Sequence, residues 1–564
     1  MLTNRRLLPI SSWKPPEARK QFRTNPDMEG KSSSGYCLGY LQANLAVLPS
    51  SLADDFEQFC ELNKAPCPLL YKSGIGEVTA GNLASDSDVR TDLQFYCVSE
   101  NGIIAKEMGS LSEYSWNDYV SFYVGCSFSF EEALINSGIE IQNVTENRNV
   151  SMFTTNIQCV PVGPFSCPMV VSMRPIPKDQ VEKAVVVTAA YDAIHGTPIH
   201  IGDPSVIGIC NIYKPDFGDP SDIESLVPVF WACGVTSSLA VRSARPAVSF
   251  SHYPGSMFIC DITVNDYFTA HKPEHGEEQP ILVTLADHPY LASVCSASAK
   301  AKIDELVNFV NLAWESTRRE DDLNNCLSVG DALMKAALRL SHAPSIVICF
   351  LQEKENFSSP DASASDCIQA LLALVQAFQA LDKKVTVLTP VATHLLQEKI
   401  AAYAASGHTI ISNQVRVIKW NDSCDMKEML YEDKINHRLD TIVALEAATK
   451  TENNKTEGKE PVDWFFEQVK SWNVGVARVK ITTRGKEFSR DEAIDGDSHV
   501  LRTSTLKLAG YSLAAALYVL YKCPVHSRYV RRGIGKRKHF QIAQFLVEER
   551  SGDCSQIFDS VAEN

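Results

Sequence analysis

The chain lacks any apolar run long enough to cross a bilayer. Its best candidate, Leu508 to Tyr521, is about 14 residues where ~20 are needed, so it reads as a buried helix and no membrane partner is expected. It also lacks positive charge: 53 Lys and Arg face 68 Asp and Glu, a net −15 at pH 7. That balance excludes a general nucleic-acid binder, which needs basic surface for phosphates. The local exception, SRYVRRGIGKRKHF near the C-terminus, reads as a solvated tail. No CxxC occurs among the 17 cysteines, and the spacings of Cys60/Cys67 and Cys159/Cys167 do not suit zinc. Neither a GxGxxG fingerprint nor a P-loop follows any strand-like run, so nucleotide binding has no support. No secretory signal is visible. Cys210, Cys260 and Cys349 sit in apolar runs as buried thiols do, and a reducing compartment is expected. No internal repeat is evident.

What is present divides into two textures. Residues from about 30 to 265 are rich in Gly, Pro, Cys and aromatics, with short β-branched runs at 169–173, 184–190, 227–231 and 257–262. That pattern predicts a mixed sheet, with helices at Leu52–Asn63 and Ser129–Ser137 and Ser129 as N-cap of the second. Residues 266–300, which include HKPEHGEEQP, read as a linker. From about 301 to 532, amphipathic helices alternate with the strand runs SIVICF, KVTVLTP, QVRVIKW and DTIVALE. Such alternation implies βαβ units and a parallel sheet. The expected fold class is therefore α/β: a mixed α+β domain over 17–265, then a three-layer α/β domain with a mainly parallel sheet over 301–532, and a tail over 533–564. Ligands in parallel sheets bind at carboxyl ends of strands, which draws attention to Glu446. The N-terminus carries Arg5, Arg6, Lys14, Arg19, Lys20 and Arg23 against the single acid Glu17, the charge bias of an organellar transit segment, expected over 1–16.

The stretch HGTPIHIGDPSVIGICNIYKPDFGDP, His195 to Pro220, sets His195, His200, Asp203, Asp216 and Asp219 among Gly and Pro breakers. Such punctuation makes loops at strand ends, where polar groups can converge on a small ligand. Four further runs combine polar groups with tight turns. SDVRTDL holds Arg90; GCSFSFEEAL holds Cys126, Ser127 and Ser129 before a helix; TTNIQCVPVGPFSCPMVVSMRPI, 154–176, carries Arg174 near its end; GYLQANL offers Tyr40, Gln42 and Asn44. Each has a plainer reading: Arg90 paired with its flanking aspartates, Ser129 as a cap, Arg174 on backbone carbonyls, Cys126 as a buried inert thiol. Together they comprise arginines suited to carboxylates, a helix start suited to anions, and His and Asp groups for proton transfer. That inventory suits a small dicarboxylate or amino acid.

The runs GYLQANLAVLP, FCELNKAPCPLL, SDVRTDLQFY, GCSFSFEEAL, PMVVSMRPIP, HGTPIHIGDPSVIGI, KPDFGDP and VPVFWACGVT, in order over about residues 17 to 262, resemble the D-glutamate cyclase family, whose bacterial members carry hydro-lyase names. The second half is similar to the C-terminal domain of animal members, with departures: LQEKENFSSPDAS follows SIVICF without the family's Gly-Phe-Pro turn or acidic loop, EAATK follows Glu446, and a glycine-rich loop before the last large helix is missing. The resemblance implies a mitochondrial matrix enzyme, cytoplasmic as the alternative, that closes D-glutamate to 5-oxo-D-proline and water. Read as chemistry, that reaction makes Arg174 the carboxylate clamp and His200 with Asp203 the acid/base pair. Arg90, with the Ser127–Ser129 helix start, would neutralise the second carboxylate. A hydro-lyase acting on another small hydroxy or amino acid, or a non-catalytic metabolite binder, are the rivals. The cofactor requirement stays unknown, a divalent metal is without support, and a homo-oligomer is left open.

Overall fold

The computed structural model describes residues 12–271, 276, 278–315, 330–350, 362–389, 392–405, 410–419, 441–446, 477–482, 498–502 and 506–530. These fall into two compact units, the first formed chiefly by residues up to Leu282 with Tyr290–Val294, the second chiefly by Cys295–Ser527.

The first unit is built on two antiparallel sheets. In one, the ten-residue strand Tyr40–Pro49 is central. It pairs along its length with Tyr119–Gly125, from Ala43 opposite Gly125 to Pro49 opposite Tyr119. Its other edge is shared: Ala46 and Val47 face Val248–His252, whereas Tyr40 to Ala43 face Phe258–Thr263. Side chains alternate across this strand as a pleat requires. Leu41, Ala43, Leu45 and Val47 enter one apolar core, and Ala46 and Leu48 enter another. The second sheet runs in the order Pro280–Asp287, Tyr290–Ser296, His200–Gly202, Val227–Ala232, Pro168–Ile176, Ser151–Gln158. Between the two sheets lies a core with Phe56, Phe59, Phe122, Phe165 and Phe230. Phe56 meets Phe122 edge-on at 4.9 Å, a geometry that adds roughly 0.5–1.5 kcal/mol per pair beyond area burial.

Several elements differ from the sequence expectation. The run at 184–190 is not a strand but part of helix Val181–Ala189, which buries Val181, Ala184, Val185, Thr188 and Ala189 at helical spacing. Packing of that face outweighs the β preference of its valines. Residues 280–296, inside the expected linker, form the two outer strands of the second sheet, because PILVTLAD and YLASVCS supply apolar side chains for burial. The expected helix at 129–137 opens as a 3-10 turn, Ser127–Phe130, before Glu131–Asn136, and Ser129 is not its cap. Its Oγ instead accepts a hydrogen bond from the Gln42 backbone N–H at 2.9 Å.

Helix Pro15–Thr24 is held to the first sheet by charge. Buried Arg19 donates to Asp261 at 2.8 Å, to Asp86 at 3.0 Å and to the Ile259 carbonyl at 2.8 Å, while Arg23 forks onto buried Asp92. Lys14 donates to Tyr40 Oη at 2.9 Å. Three of the basic residues that suggested a transit segment therefore have partners in the fold.

The second unit carries a six-stranded sheet whose pairs are all parallel: Ser345–Phe350, Lys384–Thr389, Val415–Lys419, Thr441–Glu446, Ala477–Thr482 and Ser498–Arg502. Counted in chain order they lie 3-2-1-4-5-6, the doubly wound arrangement. Among the described residues, parallel pairing, expected as the main feature of this half, is confined to this one of the three sheets, and the α/β class holds for the chain. Helices Ala362–Ala380 and Leu506–Lys522 pack closely: a Cβ at Gly510 would lie 2.9 Å from Ala370 Cα, so only glycine permits that approach. Among the described residues no helix is long and apolar enough to cross a membrane, including Leu506–Lys522. Glu446 ends its strand beside Ser345–Phe350, next to the point where the strand order reverses. Its side chain, the glycine-poor loops expected after Phe350 and after Thr482, and the basic run beyond Val530 lie outside the described residues.

Candidate active site

Two strand-to-helix turns in the first unit present the candidate site. Strand Tyr119–Gly125 ends in Cys126 and the turn Ser127–Phe130; strand Val227–Ala232 ends in Cys233, Gly234 and helix Val235–Ser243. Cys126 and Cys233 lie in one small buried cluster with Val170 and Met257. Strand Pro168–Ile176 runs beside them. Its Met169, Val171 and Met173 enter the inter-sheet core, so the alternate residues Val170, Ser172 and Arg174 line its other face.

Arg174 is 1% exposed and Glu131, the first residue of its helix, is fully buried. Arg174 Nη2 donates to Glu131 Oε1 at 2.7 Å and to Ser127 Oγ at 3.1 Å, and Nη1 donates to Ser172 Oγ at 3.3 Å. The guanidinium lies 5.5 Å from the Phe130 ring and 5.7 Å from that of Trp231, both favourable for a cation. Trp231 is oriented in turn by its indole N–H, which donates to Thr188 Oγ1 at 3.2 Å. Glu131 is saturated from a second direction: Asn143 Nδ2 donates to Oε1 at 2.9 Å, and Ser34 Oγ donates to Oε2 at 3.0 Å. Arg174 Nε has no hydrogen-bond partner among the described residues. A charged pair of this kind, held by hydroxyl and amide groups, is a means of placing a carboxylate and a guanidinium where water is excluded.

The thiols beside it stay protonated. Burial raises Cys126 well above the ordinary thiol range, and pushes Cys233 up to about 11 despite the Val235 N–H and the Arg174 charge, which favour the thiolate. Neither has the lowered pKa that a nucleophile needs.

Of the residues singled out from sequence, Arg174 and Ser127 are brought together, and Ser129 lies two residues further along the same turn, on Gln42. Arg90 is partly exposed and forks onto Asp88, with Nε–Oδ1 2.9 Å and Nη2–Oδ2 2.7 Å. His200 and Asp203 are not paired through their side chains. The Nε2 of His200 lies 2.6 Å from the Asp203 backbone carbonyl, while the Asp203 carboxylate caps the next turn, accepting from Ser205 N–H and Oγ, both at 2.9 Å. Pro204 at the start of that turn favours the capping geometry and so draws the carboxylate away from the imidazole. Glu131, Asn143, Ser34 and Ser172 were missed. The one sequence signal was the pair Ser172 and Arg174, polar residues two apart in an otherwise apolar strand. Among the described residues, no group of three or more His, Cys, Asp or Glu side chains is arranged to hold a metal ion.

The model of the family described as D-glutamate cyclase matches residues 120–261, which contain both turns and Arg174. A protein of Clostridium beijerinckii named "Putative hydro-lyase" is 49% identical over 255 residues, 44% of this chain and 95% of its own length. "Putative hydro-lyase YcsI" of Bacillus subtilis is 47% identical over 238 residues, 42% of this chain and 93% of its own. The chain belongs to the D-glutamate cyclase family. A third relative, "Putative hydro-lyase RL2444" of Rhizobium johnstonii, is 50% identical over 232 residues, 41% of this chain and 86% of its own length. These matches fall in the N-terminal half, so the family resemblance rests on the unit that carries the Arg174–Glu131 pair.

Proposed function

We propose that the first unit is a lyase that closes D-glutamate to 5-oxo-D-proline with loss of water. Family membership supports a lyase that removes water, and the buried Arg174–Glu131 pair carries the assignment of its site. In the reaction the α-amine nitrogen bonds the γ-carboxyl carbon, one C–O bond breaks, and the departing oxygen leaves as water with two of the three ammonium hydrogens. Reactants in one molecule gain most from being held folded, worth ~7–11 kcal/mol in well-oriented intramolecular cases. Arg174 then serves as the clamp for the substrate carboxylate through its unpartnered Nε edge, with Ser127 beside it. Glu131 takes the proton-transfer role first considered for His200 and Asp203, because its carboxylate lies at the guanidinium whereas that of Asp203 caps its own turn. Arg90 and Ser129 would act at most through the surrounding loops, and Glu446 lies in the other unit. A hydro-lyase acting on another small hydroxy or amino acid is the second reading, favoured by the names of the bacterial relatives. Purified protein supplied with D-glutamate, L-glutamate and a panel of hydroxy acids, with each product separated on a chiral column, decides between them. We further propose a mitochondrial matrix location, supported by Arg5 and Arg6 ahead of the first helix and by the resemblance to animal members.

A further inference from the structure

Asn44 is a further buried polar side chain at these turns, and its amide has one half spoken for. Nδ2 donates to the Gly125 carbonyl at 2.8 Å and to that of Val124 at 3.3 Å, which fixes the nitrogen and so identifies Oδ1 as the free end. Asn44 is 2% exposed, and no hydrogen bond to Oδ1 is formed among the described residues. The other turn is shaped around the same amide. A Cβ at residue 234 would lie 1.9 Å from Asn44 Nδ2 and 2.9 Å from Oδ1, so Gly234 is the only residue that leaves the amide in place. Asn44 thus touches both turns: Gly125, two residues before the Ser127 that holds Arg174, and Gly234, next to Cys233. Among the described residues, Asn44 Oδ1 receives no hydrogen bond and the buried donor Arg174 Nε has no partner, and both residues bond to the segment Val124–Ser127 that leads into the first turn. They are opposite in kind, as an amino acid's ammonium and carboxylate are.

We propose that Asn44 is a specificity residue whose Oδ1 accepts the substrate's ammonium group while Arg174 Nε takes a carboxylate, and that Gly234 is there to admit that amide. This rests on the reading of the site given above. It predicts discrimination between D-glutamate and glutarate, which has both carboxylates and no amine. Calorimetric titration of the full-length protein with each ligand tests it. In Asn44→Ala, D-glutamate binding should weaken about ten- to a hundredfold, the worth of a hydrogen bond to a charged group, while glutarate binding stays within about twofold. Gly234→Ala, which keeps every polar group but displaces the amide, should shift the same ratio in the same direction. Equal losses for both ligands would make Asn44 a structural strut, and an unchanged ratio in both variants would remove it from recognition; either overturns the proposal while leaving the site reading intact. Wild-type protein that binds neither ligand would overturn the site reading and this proposal with it.

Discussion

Arg174 and Glu131 form an ion pair at 2.7 Å with both side chains buried, across 43 residues of sequence, one on strand Pro168–Ile176 and the other at the start of helix Glu131–Asn136. Removing one partner leaves the other charge buried and uncompensated, which typically costs about 3–5 kcal/mol. Arg174→Ala and Glu131→Ala are each expected to lower the urea midpoint of the first unit sharply. The double variant should lose less than the two single losses combined. Additive losses would mean that the pair is not coupled.

His252 gives the fold a definite pH dependence. Its ring fills the fork where strand Tyr40–Pro49 exchanges one neighbour for another, with Nδ1 at 3.1 Å from both the N–H and the carbonyl of Leu45 and Nε2 unpartnered among the described residues. Burial lowers its pKa from the ordinary 6.5 to about 4. Above pH 6.5 the group is neutral in both states and contributes no pH dependence. Between pH 6.5 and 4 the unfolded chain takes a proton that the folded one refuses, so stability falls as pH falls, by on the order of 3 kcal/mol across that window. Denaturation midpoints at pH 7 and 5 should differ less in His252→Asn, whose amide can meet the Leu45 backbone without titrating. An unchanged difference would assign the loss to other groups.

Substitution at His200 separates the two assignments of proton transfer. Glu131→Gln keeps the shape and removes the base, and should reduce turnover roughly 10²–10⁴-fold. His200→Gln, which can still donate to the Asp203 carbonyl, should stay within about tenfold of wild type. The reverse order of effects would return the acid/base role to His200.

Part of this architecture was legible in the sequence. Ser345–Phe350, Lys384–Thr389, Val415–Lys419 and Thr441–Glu446 were readable because each is a short β-branched run set off by helices of amphipathic period. Helix Val181–Ala189 was not, because its valines favour strand until the buried face is known. Arg174 stood out as a charge in an apolar strand. Glu131 did not, since an acid in a first helical turn already has a reason to be there, namely the helix dipole. Its donors Ser34 and Asn143 come from 97 and 12 residues away, one in a turn and one in the short helix Gln142–Thr145, and the composition of neither marks them. Convergence of that kind is made by the pairing of distant strands, which composition and spacing do not encode.

The N-terminal helix bears on localisation. Because Arg19 and Arg23 hold it to Asp261, Asp86 and Asp92, Arg19→Ala and Arg23→Ala together should lower the melting temperature by several degrees. A reporter fused to residues 1–30 is expected in mitochondria; a cytosolic reporter would contradict the proposed location.

The most direct test follows the fate of D-glutamate itself. Purified full-length protein incubated with D-glutamate should accumulate 5-oxo-D-proline, measured by chiral chromatography, with turnover abolished in Arg174→Ala and reduced at least about 10²-fold in Glu131→Gln. Absence of that product from wild-type protein that dehydrates a hydroxy acid instead, or undiminished turnover in both variants, would contradict the account.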